Sequence, residues 1–272
     1  GTDAQVVDAV ESGRLDEDQL TAMAQGMLDL QHRAAQTLAE EDYTYDVDAH
    51  HELAARAARE SVVLLKNEDG LLPLDADSQR IGVIGEFART PRYQGGGSSH
   101  ITPTRLSSFL DALSERQADF EFAAGFTLDD AAQDPALTQE AREVARGCDV
   151  VLLFLGLPET AESEGFDRLT LDLPAKQVEL VSQVVEANPK TVVVLSNGAV
   201  VSVSPWQDRV PALVEAWLLG QAGGIGLADV DQAGQGPGDP AVARPDRHGD
   251  TDQWRLEDAP DEWRTDRRAP VV

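Results

Sequence analysis

Three acidic side chains lie close together in a loop that follows a short apolar run. The run covers residues 150 to 155, and the loop carries Glu162, Glu164 and Asp167. A run of this kind predicts a buried strand, and α/β sheets usually present their chemistry at the carboxyl ends of such strands. Partial burial and nearby acids raise a carboxyl pKa, as a general acid working near neutral pH requires. The loop is therefore a candidate proton-transfer site, although an acidic loop is more often simply solvated.

A second candidate is the glycine loop from Gln94 to His100, which contains three consecutive glycines. A glycine-rich turn after a strand can hold phosphate on main-chain N–H groups. The glycines come well after the predicted strand end at Ile84, without a Gly-Lys-Ser or Gly-x-Gly-x-x-Gly pattern, so nucleotide binding is disfavoured. A turn that needs positive φ is the plain alternative. Arg92 and Tyr93 could clamp or stack on a ligand, but Tyr93 could equally be a core residue.

Composition excludes several classes of function. The 272 residues are 42% hydrophobic, enough for a core, and carry a net charge of −27 with a pI near 4.3. Such acidity argues against nucleic-acid binding, which needs Lys and Arg patches. The single cysteine, Cys148, is expected to be a core residue, and the histidines lack metal-ligand spacing. We expect no metal, no cofactor, no membrane span and a cytoplasmic location.

The middle of the chain alternates short apolar runs with helical patterns, which predicts a mostly parallel sheet covered on both faces. Right-handed crossovers then give a doubly wound, three-layer α/β/α sandwich. The predicted strands are residues 80–84, 120–123, 150–155, 191–195 and 212–217, and the predicted helices between them are residues 107–117, 138–146 and 174–187.

Three regions are predicted along the chain. Residues 1–50 form an amphipathic connector helix, from Leu15 to Thr37, and a polar linker. Residues 51–230 form the sandwich, which begins with a helix near Asp48 that continues towards residues 62–65. Residues 231–272 lack apolar periodicity and contain mainly Gly, Pro, Asp and Arg. This composition suits either a frameshifted reading of a GC-rich gene or a natural disordered tail.

Several segments together resemble a known family. These are Lys66-Asn-Glu-Asp-Gly-Leu-Leu-Pro-Leu74, the segment from Val83 to Ser99, and Glu162-Ser-Glu-Gly-Phe-Asp-Arg168 leading to Leu171-Asp-Leu-Pro. In order and spacing they resemble the C-terminal α/β domain of the family 3 glycoside hydrolases, the β-glucosidases and their relatives. The resemblance runs from about Asp8 to about Asp229.

The resemblance implies roles for particular residues. Glu164, the Glu before the Gly, takes the position of the acid/base catalyst, and Glu162 is the second choice and could help set its pKa. The glycine loop leans over the sugar pocket in this family, so Ser98 and Gly97 are implied sugar-binding positions, with Arg92 and Tyr93 beside them. Asp167 and Arg168 are expected to hold the loop through an ion pair.

The resemblance also implies what the chain lacks. A retaining glycosidase needs a second carboxylate roughly 5 Å from the first, and in this family it comes from an N-terminal (β/α)8 barrel that this sequence does not contain. One hypothesis is therefore the acid/base half of an exo-acting β-glycosidase that takes a β-glycoside substrate. The alternative is a non-catalytic domain of the same fold that binds a carbohydrate or a partner.

Overall fold

The computed structural model describes residues 2–38, 44–74, 78–98, 100–129 and 133–232. The chain divides into two compact units, Gly1–Val47 and Asp48–Val272. The first unit contains helices α1 (Asp3–Glu11) and α2 (Glu17–Leu38). Helix α2 confirms the expected connector helix, whereas α1 was not expected. None of the described helices is both long and apolar enough to cross a membrane.

The second unit is built on a sheet whose strands follow the order β1-β6-β5-β4-β2-β3. Four neighbouring pairs are parallel, and β1 pairs with β6 in the antiparallel direction. The strand bounds are β1 Val63–Asn67, β2 Ile81–Ile84, β3 Phe120–Ala123, β4 Val150–Gly156, β5 Thr191–Ser196 and β6 Ala212–Glu215. The remaining helices are α3 Val47–Ser61, α4 Phe109–Glu115, α5 Pro135–Gly147, α6 Ala175–Ala187 and α7 Gly223–Gln232.

The complete burial of strand β4 shows why helices cover both faces of the sheet. It lies between β5 and β2, and every one of its residues is buried. Successive strand side chains point to opposite faces, so helices must cover both faces of the sheet. Helix α5 packs on α6, and α4 packs on α7. The three-layer α/β/α sandwich predicted from the sequence is confirmed.

Local capping residues fix where the helices begin. Ser108 caps α4 by accepting a hydrogen bond from the N–H of Asp111, and the Asp111 carboxylate accepts one from the main-chain N–H of Ser108. Asp134 caps α5 through the N–H of Ala136, with Pro135 at the first helical position. Side chains of this kind satisfy N–H groups that have no partner inside the helix. These caps therefore define the residue at which each helix begins.

The expected extension of α3 to residues 62–65 is wrong. The helix ends at Ser61, and residues 63–67 form strand β1 at the edge of the sheet. Strand β1 is only half-buried, with Leu65 exposed. An edge strand has one free side, so its residues do not show the continuous burial of β4, and the main-chain pairing with β6 decides its structure.

Two other boundaries differ from the sequence predictions. Strand β6 ends at Glu215 rather than at Trp217, because Trp217 has φ +49° and leaves the extended conformation. Part of the predicted linker, residues 47–50, belongs to α3, and its residues 41–43 lie outside the described part of the chain. The predicted tail lies outside it as well from residue 233 onwards.

A buried histidine connects α3 to the segment that precedes α7. His51 is only 2% exposed, and its Nδ1 lies 3.0 Å from Nε2 of Gln221. Its Nε2 is buried and has no hydrogen-bond partner among the residues that the structure describes. Burial, and then the charge of Arg105, lower the pKa of His51, while Asp48 opposes the shift. Charging this ring therefore disfavours the folded state.

This burial predicts a pH-dependent stability. The stability contributed by neutral His51 is fully present above pH 6.5, its unperturbed pKa, and is lost as the pH falls through the lowered folded-state pKa. Glutamine can accept the same hydrogen bond without titrating. We expect the Tm of the wild type to fall more steeply than that of His51→Gln as the pH decreases from about 7 to about 5. His50→Gln, at an exposed neighbour, is the control, and parallel Tm curves for wild type and His51→Gln would contradict the prediction.

Candidate active site

The candidate site lies at the carboxyl edge of the parallel strands. The loops that follow β2, β4, β5 and β6 all emerge at this edge, because parallel strands end on the same side. The loop after β2 contains the glycines, and the loop after β4 contains the acidic cluster. The structure therefore brings together the two segments that the sequence singled out.

Glu164 is exposed and contacts the glycine loop directly. Its Oε2 accepts hydrogen bonds from the N–H of Ser98, at 2.8 Å, and from the Ser98 hydroxyl, at 2.5 Å. Both bonds stabilise the carboxylate, so the Ser98 hydroxyl and then the Ser98 N–H lower the pKa of Glu164. The expectation that burial and nearby acids raise this pKa is wrong for the isolated chain. Here Glu164 is a carboxylate hydrogen bond acceptor.

Main-chain contacts join the two loops. Gly96 and Ser163 form an isolated parallel bridge, and the N–H of Glu164 donates to the carbonyl of Gly96 at 3.0 Å. Gly97 has φ +112°, and a Cβ there would lie 2.4 Å from the Cβ of Glu164. A side chain at Gly97 would therefore be strained and would displace Glu164. The absence of a side chain at Gly97 thus allows the two loops to approach closely.

The side chain of Glu162 faces inward and forms an ion pair with Arg92. The guanidinium Nη1 lies 2.5 Å from Oε2 of Glu162, and the two side chains are 8% and 15% exposed. Nη2 donates to the Glu162 carbonyl and Nη1 also to the Leu157 carbonyl. Arg92 thus connects the two loops through protein acceptors, and its contact with a sugar stays a prediction. Like-charge repulsion from Glu162 is not among the causes that shift the pKa of Glu164.

Tyr93 combines features of both sequence interpretations. Its hydroxyl donates to the carbonyl of Ile101 at 2.7 Å, and its ring meets His100 edge-on with centroids 5.5 Å apart. The ring is half-buried beside a cleft of about 40 Å³, whose walls include Arg92 and Trp217. A cleft of this size has room for few water molecules.

The expected Asp167–Arg168 pair has a different arrangement. Asp167 is exposed, and Arg168 Nη1 donates to the carbonyl of Val200 at 2.8 Å. No ion pair between the two is present among the residues that the structure describes. Arg168 therefore ties the acidic loop to the loop after β5 through a main-chain acceptor.

The sequence analysis missed Glu215 and Asn197, which lie beneath the acidic loop. Glu215 ends β6 and is 6% exposed, and Asn197 directly follows β5 and is 1% exposed. Asn197 Nδ2 donates to Oε2 of Glu215 at 3.3 Å, and the N–H of Trp217 donates to Oε1 at 2.9 Å. Burial raises the pKa of Glu215 most strongly, and these donors oppose it. A polar residue at the end of each apolar run was the signal that could have found them.

The described residues contain no group of three or more His, Cys, Asp or Glu side chains arranged to hold a metal ion. Cys148 is buried where α5 meets β4, and burial raises the pKa of its thiol. This agrees with a core residue.

The contact between Ser98 and Glu164 predicts a measurable titration. Ser98→Ala removes the hydroxyl donor that stabilises the carboxylate, so we expect the pKa of Glu164 to rise towards its ordinary value. Carboxyl carbon shifts in NMR titrations of the labelled chain report it. Ser114→Ala is the control, since that exposed hydroxyl donates to the carbonyl of Leu110 within α4. An unchanged Glu164 midpoint in Ser98→Ala would show that the contact does not persist in solution.

Comparison with known proteins gives relatives over most of the chain. Residues 62–231 match the family described as Glycosyl hydrolase family 3 C-terminal domain. An exo-alpha-(1->6)-L-arabinopyranosidase of Bifidobacterium breve is 58% identical over 237 residues, covering 84% of this chain and 31% of the relative. The thermostable beta-glucosidase B of Acetivibrio thermocellus is 44% identical over 232 residues, covering 84% of this chain and 30% of the relative.

A solved crystal structure is also similar to this chain. The crystal structure of a GH3 beta-glucosidase from Bifidobacterium adolescentis superposes with a TM-score of 0.81 at 58% identity, covering 85% of this chain and 34% of that chain. The chain thus spans about a third of the length of these relatives. Since the family match covers more than half of its residues, the chain belongs to glycosyl hydrolase family 3 through the C-terminal α/β domain.

Proposed function

We propose that this chain is the acid/base-bearing domain of an exo-acting retaining glycosidase and that Glu164 is the acid/base residue. The observation that carries the proposal is the contrast between the two neighbouring acids. Glu164 is exposed at the carboxyl edge on a loop held by main-chain bonds, whereas Glu162 is buried against Arg92. An exposed carboxyl group can reach a glycosidic oxygen, and a buried ion-paired one cannot.

Because Ser98 lowers the pKa of Glu164, the partner domain must raise that pKa before Glu164 can act as a general acid. A general acid must be protonated at the working pH, and in the isolated chain Ser98 stabilises the carboxylate. A nucleophilic carboxylate supplied by a barrel, roughly 5 Å away, would disfavour a second negative charge and raise the pKa of Glu164. Closure of the site would add desolvation in the same direction. The proton donor is therefore completed by the partner domain.

The sugar is a separate part of the proposal. One relative is named an arabinopyranosidase that acts on an α-L linkage and another a β-glucosidase. The two names describe compatible geometries, because the anomeric descriptor changes with the D or L series: an α-L-arabinopyranoside has the anomeric arrangement of a β-D-galactopyranoside. We propose a terminal pyranoside with this shared anomeric arrangement, β-linked for a D-sugar as in a β-glucosidase.

A non-catalytic domain that binds a carbohydrate or a partner through the same loops is the second candidate. The observation in its favour is that Glu164 is held as a carboxylate acceptor. Carboxylate oxygens can accept hydrogen bonds from sugar hydroxyls without any proton transfer. The two candidates differ in whether adding a barrel produces turnover.

The isolated chain should not hydrolyse glycosides. A retaining mechanism needs two carboxylates with different roles, and the nucleophile is proposed to lie on the barrel. We expect no release of aryl alcohol from an activated aryl β-glucoside above the buffer rate. Stereoretaining hydrolysis by the purified chain would contradict the division into two halves.

A chimera tests the role of Glu164. In it, residues 2–232 replace the matching third of the Bifidobacterium adolescentis β-glucosidase. Glu164→Ala should slow substrates with poor leaving groups by about 10² to 10⁴ more than those with activated aryl leaving groups, because only the former need proton donation. Azide should partly restore turnover by attacking the glycosyl intermediate without base assistance.

Two further variants of the chimera provide the controls. Glu159→Ala removes an exposed carboxylate from the same loop and should change neither leaving-group dependence nor azide response. Glu162→Ala should lower stability through the unpaired Arg92 without producing azide rescue. If Glu162→Ala shows the rescue and Glu164→Ala does not, the assignment is reversed. If the wild-type chimera folds and binds sugar without turnover, the non-catalytic candidate is favoured.

A further inference from the structure

Glu215 is a buried acid that the proposed chemistry does not use. It is 6% exposed at the end of β6, directly behind the loops that carry the candidate site. Its carboxyl accepts hydrogen bonds from Asn197 Nδ2 and from the N–H of Trp217. A buried acid is retained only where its hydrogen bonds are satisfied or its charge is compensated. The hydrogen-bond partners of Glu215 therefore indicate its structural role.

Hydrogen bonds connect Glu215 to the acidic loop through the turn at Asn197 and Gly198. Asn197 donates to Glu215, and the next residue, Gly198, donates its N–H to Oε2 of Glu162 at 3.0 Å. The same Oε2 is held by Arg92. The turn thus lies between two carboxyl groups and is bonded to both. Movement of this turn would break a hydrogen bond to Glu162, which is two residues from Glu164.

Charge at this edge is unevenly distributed. Arg92 directs its Nη atoms to Glu162 and to the Leu157 carbonyl, and within the described residues no ion pair reaches Glu215. Glu162 is the charged group that faces Glu215 from the acidic loop, and its charge further raises the pKa of Glu215. Oδ1 of Asn197 is buried and has no hydrogen-bond partner among the described residues. Burial and the charge of Glu162 both favour the neutral form of the Glu215 carboxyl.

We propose that Glu215 is a positioning residue of the acid/base loop: through the Asn197–Gly198 turn it holds Glu162, and thereby fixes where Glu164 meets Ser98. The catalytic meaning of this role rests on the proposed function, but the positioning does not. The contact between Ser98 and Glu164 can be measured in the isolated chain, without substrate or barrel.

The test measures the pKa of Glu164 by NMR titration of the chain labelled with 13C in its glutamates, assigned with Glu164→Gln. Glu215→Ala and Asn197→Ala release the turn from either side. If the loop shifts, the Ser98 bonds are lost, and the titration midpoint of Glu164 should rise by about 1 pH unit, the usual size of an environmental shift.

Asn188→Ala is the matched control for general destabilisation. Asn188 is a buried amide at the opposite end of β5, where Nδ2 donates to the carbonyls of Ala145 and Cys148. Its replacement should lower the Tm and leave the Glu164 midpoint unchanged.

Two results would overturn the proposal. The first is an unchanged midpoint in both Glu215→Ala and Asn197→Ala. The second is an equal shift in Asn188→Ala. If Glu215→Ala does not fold, Asn197→Ala decides between the outcomes. A shifted midpoint together with a chimera that lacks leaving-group dependence would leave the positioning intact and remove the catalytic assignment.

Discussion

The ion pair between Arg92 and Glu162 is the constraint on which the candidate site depends. It joins the loop after β2 to the loop after β4, with both side chains largely removed from solvent. The net free energy of a buried ion pair is small, because desolvation offsets most of the attraction. Removal of one partner, in contrast, leaves a buried charge and typically lowers the free energy of unfolding by about 3–5 kcal/mol. The pair therefore specifies the relative position of the loops more than it stabilises the fold.

That constraint gives the two neighbouring acids opposite environments. Glu162 lies in a bend and faces Arg92, and Glu164 lies in the following turn and is exposed. In an extended segment, residues two apart would point to the same side. The bend, together with the bridge between Gly96 and Ser163, separates them. One acid can then hold the loop while the other remains available to a ligand.

The sequence was most informative where burial is complete. Strands such as β4 and β5 are buried on both faces, so their apolar runs are unbroken and their positions were predicted closely. Strand β1 was missed because it is an edge strand directly after a helix, and its pairing with β6 depends on a segment far along the chain. Local patterns carry little information about such long-range pairing.

The electrostatics of the site were less predictable than its location. Both loops were identified from residue types and spacing, but the direction of the pKa shift of Glu164 was not. That shift depends on Ser98, more than sixty residues away along the chain. Likewise, nothing in the local pattern around Glu215 indicates that no ion pair reaches it within the described part of the chain. Hydrogen-bond geometry fixes such properties, and the sequence shows only which residues are available.

The lowered pKa of Glu164 also bears on how a second domain would engage this edge. If a partner supplies a carboxylate near Glu164, the pKa of Glu164 rises on association, and a group whose pKa rises on binding takes up a proton when the pH lies between the two values. Association is then favoured by lower pH through the same linkage that makes folding pH-dependent. The Ser98 hydrogen bonds oppose this uptake in the free chain and keep Glu164 ionised. Proton loading of the acid and assembly of the complete site are, on this view, one coupled equilibrium.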